Sequence, residues 1–169
     1  MGDARPSPFW ARLVFFAPGE GHMIRTLILA TAVTLLAVPP ALASDRDDAL
    51  APIKAFIAAI DKNDMAGAAA THVAAPSIIN EFPAHHWNSF AGWGADFGKF
   101  AAANGDTDAR LAIVKVGRVL VEGDHAYAVV KTDFSFKRKG KPMMEHGTIT
   151  YALDKTADGW RIAAWTWTW

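Results

Sequence analysis

Residues 143–169 read MMEHGTITYALDKTADGWRIAAWTWTW, and the reading of this stretch decides the fold. From Met143 to Leu153, the run Thr148-Ile149-Thr150-Tyr151 favours an extended strand. Asp158-Gly159 is a hairpin signal, and Trp160 to Trp169 makes the next strand. Upstream the pattern repeats. Lys139-Gly140-Lys141-Pro142 is a turn, Ala126 to Lys137 a strand, Glu122-Gly123-Asp124 a turn, and Leu111 to Val121 a strand in which Gly117 suits a bulge. Strands of ten to twelve residues joined by short glycine-containing turns form an antiparallel meander.

Ahead of the meander the period changes to that of helices. Leu50, Ile53, Ile57 and Ile60 recur at spacings of three, four and three, one apolar stripe of a helix. Ser44-Asp45-Arg46-Asp47-Asp48 suits its N-terminus, and Pro52, tolerated only in a first turn, places the regular start near Asp48. Asn63-Asp64 ends it and caps an Ala-rich second helix over Met65–Val73. Ile78 and Ile79, inside PSIINEFP (76–83), favour a short strand. Asn88 or Ser89 caps a third helix with Phe90, Trp93, Phe97 and Phe100 on one face, and Asn104-Gly105 stops it. Helices first and strands afterwards predict an α+β domain, three N-terminal helices packed on a curved antiparallel sheet.

With regular alternation, Trp165, Trp167 and Trp169 share one face of the last strand, and Trp160 and Ile162 lie on the other. Both faces of the sheet then carry apolar residues. One packs on the helices, and the other calls for a second cover, most simply a second copy. A homodimer through the sheet is the expectation.

Leu27–Val38 reads LILATAVTLLAV, uncharged, preceded by Arg25 and followed by Pro39-Pro40 and Ala41-Leu42-Ala43. A positive start, a short apolar run and an A-x-A site describe a signal peptide over 23–43, cut after Ala43. The run is too short for a membrane anchor, which needs about 20 apolar residues. Without a Cys there is no lipid anchor at the cleavage site. Residues 1–22 are either a long n-region with Arg5 and Arg12 or an extension ahead of a true start at Met23. The expected location is periplasmic or secreted, and the domain is 44–169.

The whole chain has 17 basic and 17 acidic residues, which argues against a nucleic-acid partner. The absence of Cys excludes disulfides, iron–sulfur clusters and thiol nucleophiles. The domain's histidines, at 72, 85, 86, 125 and 146, lack the spacing of a metal site, so no metal and no cofactor is expected. Lys137-Arg138-Lys139 with Lys141 reads as a solvated hairpin tip, or as a contact for an anion or membrane surface.

The order of elements resembles the nuclear transport factor 2-like (NTF2-like) superfamily, a cone-shaped α+β roll shared by ketosteroid isomerase, scytalone dehydratase and the SnoaL-like polyketide cyclases. The resemblance is carried by Asn63-Asp64-Met65 at the start of helix two, by residues 77–83 (SIINEFP), and by Gly159-Trp160-Arg161-Ile162 followed by Trp165-Thr166-Trp167. The closing motif looks most like exported bacterial SnoaL-like proteins. The resemblance spans roughly 46–168 and implies an apolar pocket between sheet and helices.

That pocket, as the resemblance implies it, is lined by Asn80, Trp87, Trp93, Phe97 and Trp165. Aromatic walls with few polar groups suit a flat apolar small molecule. The same aromatics also serve as ordinary core. Members of the ketosteroid isomerase type carry a carboxylate base on the short strand after helix two, and Glu81 falls there. Scytalone dehydratase-like members use histidines with an Asp, for which His86, His146 and Asp133 are the candidates. The usual oxyanion partners, a Tyr and a protonated Asp, are not matched, since the chain offers only Tyr127 and Tyr151. The leading expectation is a small-molecule binder. The alternatives are a cofactor-independent isomerase, dehydratase or cyclase moving a proton beside a carbonyl, and an interaction module whose cone is filled by side chains.

Overall fold

The structure, a computed structural model, describes residues 40–169. The apolar run Leu27–Val38 and residues 1–22 lie outside the described residues. The elements follow in the order α1 (Pro40–Asp61), α2 (Met65–Ala70), β1 (His72–Ile79), β2 (His86–Trp87), α3 (Phe90–Asn104), β3 (Asp106–Glu122), β4 (His125–Arg138), β5 (Lys141–Thr156) and β6 (Gly159–Thr168). The six strands form one sheet in the order β2-β1-β6-β5-β4-β3.

The helix caps follow the sequence. Asp64 caps α2 by accepting from the Gly67 amide at 2.8 Å. Ser89 caps α3 by accepting from the Gly92 amide at 3.1 Å, and Gly105 ends α3 in the left-handed region at φ 72°. Helix α1 begins at Pro40, ahead of the expected Asp48, and runs through Pro52. An interior proline costs about 3 kcal/mol. Burial of Ala49, Leu50, Ile53, Phe56 and Ile57 around it offsets that cost.

Two expectations are corrected. The first concerns β1, which starts at His72 rather than near Ile78 and runs parallel to β6, so the sheet is mixed and mostly antiparallel. The Ala74-Ala75-Pro76 segment has little strand preference of its own. Docking beside β6 holds it extended, and the Ile162 amide donates to the Thr71 carbonyl at 2.9 Å. Helix α2 accordingly stops at Ala70, short of Val73.

The second correction concerns β6. Ala152 pairs with Ala164, but Leu153 pairs with Ile162, so Ala163 is an extra residue. This bulge reverses the alternation. Trp160, Ile162 and Trp165 are all buried on the helix-facing side with Tyr151 and Leu153. The face turned away from the helices is consequently less apolar than regular alternation predicts. Its exposed apolar residues include Val114, Leu120, Tyr127 and Met144, set among lysines and threonines.

The core lies between this inner sheet face and the helices. Phe56 of α1 is its centre. Its ring lies 6.0 Å from Phe90, 5.8 Å from Trp165, 6.4 Å from Tyr151 and 5.1 Å from the imidazole of His72.

Candidate functional site

The inner sheet face near α3 gathers most of the aromatic residues expected to line a pocket. Phe90, Trp93 and Phe97 come one turn apart on α3, so their rings stand in a row. Trp93 stacks on Phe97 at 5.3 Å and meets Trp165 edge-on at 5.1 Å. Phe82 links Phe97, at 5.7 Å, to Trp87, at 4.8 Å. Phe134 of β4 closes the row, 6.3 Å from Phe97 and 6.1 Å from Trp167. Trp87, Trp93, Phe97 and Trp165 thus form one aromatic seam. Asn80 does not join it through its polar end, since its Oδ1 accepts from the next amide, Glu81 N–H, at 2.7 Å.

Two of the indole N–H groups are spoken for. Trp87 donates to Asp96 Oδ2 at 3.0 Å, and this bond, more than Lys99 beside it, holds the Asp96 carboxyl below its usual range. Trp165 donates to His72 Nε2 at 3.1 Å. The other ring nitrogen of His72 lies 2.9 Å from the Ala68 carbonyl. A carbonyl only accepts and an indole N–H only donates, so His72 is neutral with its proton on Nδ1. Burial lowers its pKa from 6.5 to about 4, against the Ala68 bond, which raises it.

Four buried donors on the inner face have no partner among the described residues, Trp160 Nε1 near the start of β6 and three closer to the aromatic seam. Those three are Trp93 Nε1, Thr132 Oγ1 and Tyr151 Oη. Trp93, Thr132 and Tyr151 are 6%, 1% and 0% exposed. Tyr151 sits beside Trp165 across the β5–β6 ladder, and burial pushes its phenol up. Thr132 lies opposite Gly147. The indole of Trp167 rests directly on Gly147, so close that a Cβ there would meet the ring at 2.4 Å.

The candidate acid–base residues do not form one cluster. His146 Nδ1 and Asp133 Oδ1 lie 2.7 Å apart, but on the outer face of β4 and β5, away from the aromatic seam. His86 is on β2, three strands from β5 and so about 14 Å across the sheet, and its Nε2 is 3.1 Å from Ser77 Oγ. Glu81 is exposed, and its Oε1 accepts from the Trp169 amide at 3.3 Å.

Neither His72 nor Glu145 stands out as a site residue from sequence pattern. Glu145 shares the inner face of β5 with Gly147, Ile149 and Tyr151, opposite Phe134. Burial pushes its carboxyl up, the Arg138 guanidinium opposes this, and the Glu81 carboxylate adds to it. The signal was present in the period-two alternation of 145–153, read as strand but not as a charge on the core side. The basic hairpin tip is partly neutralised. Lys137 pairs with Asp108 at 2.9 Å, and Arg138 binds Asp106 through two bonds of 2.8 Å.

Two open surface grooves lie elsewhere. One, about 350 Å³, is bordered by Asp108, Phe136, Lys137, Pro142 and Met144. The other, about 240 Å³, is bordered by Val114, Lys131, Asp133, His146 and Thr148. Neither reaches Trp87, Trp93, Trp165 or Glu81. Among the described residues no three acidic or histidine side chains gather as a metal site would require, and no helix is long and apolar enough to cross a membrane.

Comparison with known proteins follows the same lines. The fold matches an NTF2-like superfamily protein of Salmonella enterica with a TM-score of 0.64, at 19% identity over 75% of this chain and 92% of that one. It also matches a ketosteroid isomerase-like protein of Erwinia carotovora (TM-score 0.57, 19% identity, 73% of this chain and 94% of that one). An NTF2-like protein of unknown function from Shewanella oneidensis matches with a TM-score of 0.54, at 17% identity over 72% and 96%. At these identities the likeness is one of fold. No curated protein matches the sequence. The SnoaL-like domain family matches residues 50–166, which runs from the buried turn of α1 almost to the end of β6, and the chain belongs to that family.

Proposed function

We propose that the protein is an exported binding module whose inner sheet face takes up a small, flat, largely apolar molecule bearing a hydrogen-bond acceptor such as a carbonyl oxygen. The observation that carries this reading is that three of the four buried donors without acceptors, Trp93 Nε1, Thr132 Oγ1 and Tyr151 Oη, lie beside the aromatic seam, the fourth being Trp160 Nε1. A buried polar group without a partner costs about 1–3 kcal/mol, so native interiors keep few of them. All three are donors on one face, and the aromatic seam around them supplies flat apolar contacts. Trp167, half-buried on Gly147, is the side chain whose displacement opens space beside Thr132.

A second reading, a cone filled by its own side chains and used as an interaction module, is favoured by the position of the two grooves away from the seam. A third, proton transfer on a carbonyl substrate without a cofactor, is favoured by the inward Glu145 with its raised pKa. Native mass spectrometry of protein purified from its own host without denaturation separates the two ligand-binding readings from the filled cone. The binding reading expects a mass above that of the polypeptide, released on unfolding. It also expects saturable quenching of Trp fluorescence by an aromatic ketone probe. Absence of both leaves the filled cone.

A further inference from the structure

On the outer face of the sheet a second group of residues faces away from the seam. Lys115 of β3 stands directly opposite Lys131 of β4, and Lys131 directly opposite Thr148 of β5. Like charges opposed across a ladder destabilise a sheet. Among the described residues neither lysine belongs to an ion pair, although six pairs form elsewhere. The arrangement is maintained by a bulge. Ile113 pairs with Thr132 and Lys115 with Lys131, so Val114 is the extra residue, and the bulge turns Lys115 outward where simple alternation from Ile113 would turn it into the core.

The groove of about 240 Å³ lies beside this row, bordered by Lys131, Asp133, His146 and Thr148. Asp133 takes the Nδ1 side of His146 at 2.7 Å. A carboxylate only accepts, so Nδ1 carries the hydrogen, and in the neutral ring Nε2 is an acceptor on a side chain 80% exposed. The lining of the groove therefore offers the Lys131 ammonium, the Thr148 hydroxyl and the His146 imidazole, and Lys115, directly opposite Lys131 on the neighbouring strand, brings a second unpaired ammonium to its edge. Asp133 offsets one of the two lysines, so the balance is positive by the charge of Lys115 at the edge. Ammonium groups and a hydroxyl bind the unprotonated oxygens of an oxyanion, and an imidazole acceptor takes a hydrogen from one that still carries a hydroxyl.

We propose that this groove is an anion site for a tetrahedral oxyanion that retains an acidic hydroxyl, of the hydrogen-phosphate type. It is independent of the small-molecule reading of the inner face. Its unprotonated oxygens lie on Lys115, Lys131 and Thr148, and its hydroxyl donates to His146 Nε2.

The test is a titration of the full chain with sodium phosphate at pH 7.5, with ionic strength held constant by sodium chloride, followed by amide NMR. The resonances of Lys131, His146 and Thr148 are expected to shift saturably. Sulfate, which has no hydroxyl at this pH, binds at least fivefold more weakly. The double substitution Lys115→Met, Lys131→Met lowers phosphate affinity at least tenfold. His146→Ala removes the preference for phosphate over sulfate while both anions still bind. All these side chains are exposed, and unchanged circular dichroism confirms the fold of each variant. Equal shifts with chloride alone, or unaltered affinity in the double variant, overturn the proposal. A dimer by light scattering whose outer-face resonances stay unmoved by phosphate overturns it as well.

Discussion

Substitution of His72 by glutamine isolates one source of acid instability. In the native protein this ring is neutral, donating from Nδ1 to Ala68 and accepting from Trp165 at Nε2. Protonation would place an N–H against the Trp165 N–H, and burial adds to the cost. The native pKa is lowered to about 4 from 6.5. The unfolded chain therefore binds a proton on this residue between those values when the folded chain does not. Stability from this source is complete above about pH 7, falls as pH drops through 6.5, and levels off below 4. Integrated to pH 4, the loss is about 3 kcal/mol. A glutamine side chain keeps one donor and one acceptor but does not titrate. The measurement is urea unfolding followed by Trp fluorescence at pH 7.5, 6, 5 and 4 for wild type and His72→Gln. Carboxylates contribute equally to both and cancel in the difference. The wild type is expected to lose about 3 kcal/mol more than the variant over this range. Parallel pH curves would refute the neutral, buried assignment of His72.

Three other outcomes follow from named contacts. Gly147→Ala drives a Cβ into the Trp167 indole at 2.4 Å, with an expected loss of about 1–3 kcal/mol by urea unfolding. Phe56→Ala empties the centre of the core and lowers stability by about 3–5 kcal/mol in the same assay. Trp87→Phe removes the indole donor to Asp96, so the Asp96 carboxyl titrates higher, toward its ordinary range, when followed by carbon-detected NMR.

The helices and the meander were legible because local rules governed them. Ser89 and Gly105 cap α3 where the cap chemistry put them, and the Gly123, Gly140 and Gly159 turns separate the four long strands. What was not legible depended on partners distant in the chain. The His72–Ser77 part of β1 has no strand signal of its own and exists as a strand because β6 lies beside it. The bulge at Ala163 leaves no composition signal, since Ala-Ala reads the same in either register, yet it moves Trp160 and Ile162 to the other face. Of the candidate site, the aromatic seam came from helical spacing in α3, and the pairing of Asp133 with His146 required the β4–β5 register. Glu145 and the buried donors become visible only once burial is known.

The place of β6 in the sheet bears on how the chain comes to be folded. It is the last of the described strands in chain order, yet it stands between β1 and β5. Until residues 159–168 have left the ribosome, the β3–β4–β5 hairpins present an open edge at β5, and β1 with its short partner β2 has nothing to join. The parallel pairing of β1 with β6 spans some ninety residues, a closure slow relative to hairpin formation. A chain stopped short of Gly159 would be two unfinished sheets with sticky edges. A polypeptide of this design leaves its sheet in two parts until residues 159–168 have been made, so the domain closes in one late step rather than strand by strand.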